Sequence, residues 1–95
     1  MKEQALSAFI ALPLDRKIDL LQWIKDNLTV RTTMNSRHTS YGLKHLVVLP
    51  EEENSYFTND EFKGAMLVAG YQVENFSELN WVFNISEKSP ALTKR

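Results

Sequence analysis

The sequence predicts a mainly helical α+β fold: N-terminal helices, then a pair of helices, then a C-terminal two-stranded antiparallel hairpin. Three observations carry that expectation. Apolar residues recur at helical spacing from Leu14 to Leu28. A full set of start and stop signals brackets Thr58 to Gly70. Trp81-Val82-Phe83-Asn84-Ile85 alternates, which puts Trp81, Phe83 and Ile85 on one face of a strand.

Taken in order, Lys2 to Ala11 carries Ala5, Leu6, Phe9 and Ile10 at helical spacing and reads as a short helix. Pro13 interrupts it, because the residue before a proline is biased away from helix. A stronger helix is expected over Pro13 to Asn27. Leu14, Ile18, Leu21, Ile24 and Leu28 form its apolar stripe, with Leu20 and Trp23 widening it. Proline at the first helical position is harmless there, since its missing N–H would have had no partner. Val30 to His38 has no helical period and is rich in Thr, Asn, Ser and Arg, so an irregular stretch is expected.

Thr39 or Ser40 caps a second helix expected to run through Leu43 and Lys44 to Val48, where Pro50 closes it. Gly42 weakens it by roughly 1 kcal/mol relative to Ala. Glu51 to Ser55 reads as an acidic loop. The third helix is the most legible: Thr58 as cap, Glu61 as its capping-box partner, and Gly70 as the stop. Phe62, Ala65, Met66 and Ala69 make its apolar stripe, while Gly64, Leu67 and Val68 point elsewhere. Tyr71-Gln72-Val73 and Trp81 to Ile85 are the expected strands of the hairpin. Residues 87–95 read as a loose tail.

The 95 residues make one domain, and an apolar fraction of 43% with five Phe, three Tyr and two Trp is enough for one core. There is no cysteine, which removes disulfides, thiolate chemistry and Cys-based zinc sites. Apolar runs are too short to span a bilayer, and Met1-Lys2-Glu3-Gln4 lacks the basic start of a secretory signal. A cytoplasmic protein without a membrane partner is expected.

The net charge is −1, but its distribution is dipolar. Thr29 to Pro50 holds Arg31, Arg37 and Lys44 with His38 and His45 and no acid; Glu51, Glu52, Glu53, Asp60 and Glu61 follow. Two solvated loops of opposite sign produce the same pattern.

The order of elements resembles a winged helix-turn-helix over residues 39–86. The residues T-S-Y-G-L-K-H (39–45), T-N-D-E-F-K-G-A-M-L-V-A-G-Y (58–71) and L-N-W-V-F-N-I-S-E-K-S-P-A (79–91) also resemble a group of small proteins of phages and mobile elements in Gram-positive bacteria. That resemblance implies a mobile-element context and supplies no catalytic residue. It covers about the C-terminal two-thirds of the chain, and residues 1–28, the N-terminal helices, lie outside it.

Two binding readings follow. In the first, Arg31, Arg37, His38 and Lys44 hold the phosphates of double-stranded DNA while Asn59 and Lys63 approach the bases. In the second, Gly64, Leu67 and Val68 seat a host protein, as an inhibitor or modulator would, or a second copy of the chain. The bland alternative is that the first helix simply covers that face. No cofactor, metal or small-molecule substrate is expected. The two histidines lack partner ligands, and Glu51 to Glu53 have no apolar pocket to tune an acid for catalysis. A non-enzymatic protein is the expectation.

Overall fold

The computed structural model describes residues 1–51, 53 and 55–93. Glu52 of the acidic loop and Lys94-Arg95 of the expected tail lie outside the described residues. Within them the helices are α1 (Lys2–Ile10), α2 (Leu14–Asn27), α3 (Ser40–Lys44), α4 (Asn59–Val68) and α5 (Pro90–Thr93).

The centre of the fold is α4, against which α1, α2 and α3 all pack. Its start is the capping box the sequence predicts: Thr58 Oγ1 accepts from the Glu61 backbone N–H at 3.1 Å, and Glu61 Oε1 accepts from the Thr58 N–H at 2.9 Å. Its end is equally legible, since Gly70 takes φ +98°, a conformation that costs a Cβ-bearing residue steric strain. Phe62, Ala65 and Met66 are fully buried, while Ala69, the last residue of the expected stripe, is exposed.

The face opposite that stripe is covered from within the chain at Gly64 and partly at Leu67, while Val68 stays exposed. Gly64 lies against α1 so closely that an added Cβ would collide with the Ala5 carbonyl and come within 2.7 Å of Phe9 Cβ. Glycine here lets two helix backbones approach, with Ala5 as the small residue on the other side.

α2 forms as predicted but is rotated relative to the expected stripe. Its buried residues are Leu20, Trp23 and Ile24, while Leu14 and Ile18 stand 69% and 55% exposed. The residues that widened the stripe join Ile24 and Leu28 in the core, and two of the stripe's five residues, Leu14 and Ile18, face solvent.

The expected C-terminal hairpin, and with it the winged-helix-like part, is not formed. Among the described residues there is no strand or sheet, only three isolated antiparallel bridges: Val30–Ile85, Thr39–Val82 and Val73–Phe83. The physical reason is competition for the backbone of residues 81–86. Val73 and Glu74 take one side of it, Glu74 N–H donating to the Val82 carbonyl at 2.9 Å. The other side is taken by residues 29–40: Arg31, Asn35 and Ser40 donate to the carbonyls of Asn84, Phe83 and Trp81, and Ser86 donates to Thr29. Because those partners come from an irregular stretch, no ladder of two long strands develops. Trp81, Phe83 and Ile85 are nonetheless all fully buried, so the alternation correctly marked the inward residues.

The helix pair also differs from a helix-turn-helix. α3 ends at Lys44 rather than near Val48, leaving a long segment from His45 to Thr58 before α4. Ser40 does not cap it. Instead its Oγ accepts from the buried Trp81 N–H at 3.0 Å while its own N–H donates to the Trp81 carbonyl at 2.8 Å. Residues 87–93, expected to be loose, are tied down: Ser89 is fully buried, and its Oγ accepts from the Thr29 N–H at 2.8 Å.

Candidate functional site

The basic residues expected to hold DNA do not form a common surface. Lys63 is buried, with Nζ donating to the Leu79 carbonyl at 2.9 Å, standing 3.5 Å from Asp60 Oδ1 and lying 4.3 Å above the Trp81 ring. Lys44 is buried too, its Nζ about equidistant from the Tyr41 and Tyr56 rings at 5.1 and 5.0 Å. Arg31 folds onto its own loop, donating to the carbonyls of Thr33 and Met34, each at 3.0 Å. Asn59 Nδ2 donates to the Leu79 carbonyl at 3.2 Å and Asn80 Oδ1 at 2.9 Å. These four side chains hold the fold's own loops.

Arg37 and His38 converge on Glu87. His38 Nε2 is 2.9 Å and Arg37 Nε 4.0 Å from Glu87 Oε2, and buried Asn35 donates its Nδ2 to the same oxygen at 2.8 Å. Arg37 therefore turns toward Glu87, although most of its side chain remains in solvent. The Asn35 hydrogen bond is the largest influence holding the Glu87 carboxyl below its ordinary value. The charges of His38 and Arg37 act in the same direction, against partial desolvation.

A depressed folded-state pKa contributes stability that is complete above the unfolded carboxylate range and lost as pH falls through the folded value. Glu87→Gln is thus expected to lower the urea midpoint at neutral pH and flatten its fall between neutral pH and the acid limb. Urea melts at stepped pH check this.

Of the three residues expected at a protein interface, Gly64 is inside the α1–α4 contact and Leu67 is half-buried against the core. Val68 alone is largely exposed, at 51%. It stands on the lip of an apolar groove of about 540 Å³ between the second half of α2 and the end of α4. Leu21, Ile24, Leu28, Val30, Val68 and Tyr71 line the groove, with Lys25, Thr29 and Ala69 completing the wall. Burial pushes the Tyr71 phenol above its ordinary value, so it stays neutral there.

On α2 the lining of the groove begins at Leu21, and exposed Leu14 and Ile18 lie beyond it on the same helical face. The two stand toward the start of α2 at i, i+4 spacing. Lys17 Nζ donates to the Ile10 carbonyl at 3.0 Å, which holds the end of α1, with exposed Ile10, beside that row. Sequence reasoning missed this surface by assigning Leu14 and Ile18 to the core. The signal was present: with Leu20 and Trp23 added to the stripe, α2 carries more apolar circumference than one core contact uses.

Among the described residues no His, Asp or Glu group is arranged to hold a metal ion, and no helix is long and apolar enough to cross a membrane. Comparison with known proteins finds no family model, curated protein or solved structure that matches this chain.

Proposed function

We propose that this chain is a non-enzymatic protein-binding module that receives apolar side chains of another protein in the groove between α2 and the end of α4. The observation that carries the reading is that exposed Leu14 and Ile18 share a helical face with Leu21, which lines that groove. Isolated apolar residues on a surface are ordinary, whereas an apolar row on the same face as a concave, apolar-lined site is the usual form of an interaction surface. The DNA reading draws less support from the geometry, since Lys44 and Lys63 are buried and Arg31 is bound to its own loop, which leaves Arg37 as the largely exposed cation of its set.

The test is site-specific photocrosslinking in cells, with the crosslinking residue placed at Val30 or Val68 inside the groove or at Arg37 outside it. Adducts to one protein are expected from the groove positions and not from position 37. Ile18→Asp is expected to abolish them while leaving the melting curve within about 0.5 kcal/mol of the unmodified chain, as is usual for exposed positions. Adducts that persist in Ile18→Asp, or that form equally from position 37, defeat the reading.

A further inference from the structure

We infer that the occupant of this surface is an amphipathic helix whose apolar ridge is bordered on one side by lysine or arginine. The inference rests on the protein-binding reading above and adds the chemistry of the partner.

Two rows run side by side on the solvent side of α2. Leu14, Ile18, Leu21 and Lys25 recur at i, i+4, i+7 and i+11, and the last two line the groove. Asp15, Asp19, Gln22 and Asp26 recur at the same spacing one residue later, and all four are exposed. On a helix such rows are neighbours, because residues three and four apart meet on the surface. The apolar strip is therefore edged by carboxylates on the side away from α4.

The strip's length selects the shape of the partner. From Leu14 to Leu28 the helix rises about 21 Å, which matches roughly four turns of a second helix laid along it. An extended peptide needs unpaired strand edges for its backbone, and α2 offers none, since its amides are bonded within the helix.

Charge selects the partner's flank. On the border away from α4 a basic row of the partner meets Asp15, Asp19 and Asp26, whereas an acidic row there is repelled. Asp26 also accepts from Gln22 Nε2 at 2.9 Å. The cations of the strip lie elsewhere, Lys25 at the end of the apolar row and Lys17 on the other border, bonded to the Ile10 carbonyl. The same argument disfavours a second copy of this chain. In an antiparallel two-fold pair of α2 helices, each acidic row faces the acidic row of its mate. In a parallel pair, the acidic row lies over the apolar mouth of the groove, leaving carboxylates desolvated without partners. The acidic border likewise disfavours an anionic membrane surface.

The experiment uses two labelled helical peptides of roughly 18 residues, long enough to form helix on docking. Both carry leucines at i, i+4, i+7 and i+11; one has lysines along a flank and the other has glutamates in their place. By fluorescence anisotropy with the full chain, the lysine peptide is expected to bind at least about tenfold tighter at low salt. Exposed ion pairs are individually weak, but three of them acting together reach that factor. The advantage is expected to shrink as salt is raised, and to reverse for Asp15→Lys/Asp19→Lys/Asp26→Lys with an unchanged melting curve.

Equal binding of the two peptides overturns the inference, as does a preference that survives the triple substitution. So does sedimentation showing a dimer that Ile18→Asp disperses. If both peptides bind alike and Val68→Asp weakens both, the groove reading stands and only the charge of the partner falls. If neither peptide binds, the inference falls, and the cellular crosslinks decide the groove reading separately.

Discussion

Gly64→Ala is expected to destabilise the fold by about 2 kcal/mol, although alanine is the better helix former. Intrinsic propensity alone favours the substitution by about 1 kcal/mol. Against it stands the α1–α4 crossing, where the new Cβ would meet the Ala5 carbonyl and approach Phe9 Cβ to 2.7 Å. The first of these is backbone, so relief requires α1 to move rather than a side chain to rotate. Overpacking costs of about 1–3 kcal/mol are usual even where side chains can adjust, so the clash outweighs the propensity gain. Gly64→Val adds two methyl groups to the same place and is expected to leave little folded protein, given a total stability of about 5–15 kcal/mol.

Gly42 is the control. It too lies inside a helix, but nothing stands within 4 Å of the Cβ it would gain. Gly42→Ala is therefore expected to stabilise by up to about 1 kcal/mol. Thermal melts read the contrast directly, since each 1 kcal/mol moves Tm by roughly 4–8 °C in a chain of this size. A Gly64→Ala variant that melts at or above the parent temperature would contradict the packing of α1 on α4.

What could be read in advance follows the range of the interactions. The start and stop of α4 were legible because Thr58, Glu61 and Gly70 act over one turn of chain, and those bonds formed as the spacing implied. The face of α2 that turns inward was not legible. Leu14-Ile18-Leu21 and Leu20-Trp23 both lie at helical spacing, and Ile24 and Leu28 serve either row; the choice is made by the position of α4, far along the chain. Residues 29–40 were the least legible. Their Thr, Asn, Ser and Arg side chains carry no period, yet their backbone occupies the edge of residues 81–86.

The candidate site follows the same logic. Val68 was visible as an apolar residue off the core stripe, and it lines the groove. The burial of two members of the cationic set was not legible because charge in a sequence does not report burial. Lys44 and Lys63 look like surface cations until the aromatic rings beside them are placed.

Trp81→Ala is expected to have the largest effect of any single truncation, about 3–5 kcal/mol, the usual cost of deleting a buried Trp side chain. Trp81 is fully buried, with its ring edge-on to Phe76 and Phe83 and its Nε1–H donating to the Phe76 carbonyl at 3.3 Å. It also supports Lys63, whose ammonium lies 4.3 Å over the ring. A buried cation without compensation is costly, and here the compensation is shared among the ring, the Leu79 carbonyl and Asp60. Truncating the tryptophan thus removes a large apolar group and one of the three supports of the charge.

A double-mutant cycle separates the two losses. Lys63→Met keeps most of the buried stem while removing the ammonium, so Trp81→Ala should cost about 1–2 kcal/mol less in that background than in the native one. Urea unfolding of the four proteins measures the difference. Equal costs in both backgrounds would mean that the ring serves only as apolar packing. A duplex-binding loss in Lys63→Met at unchanged stability would mean that this lysine reaches outward after all, and the buried geometry of residues 60, 63, 79 and 81 would then be wrong.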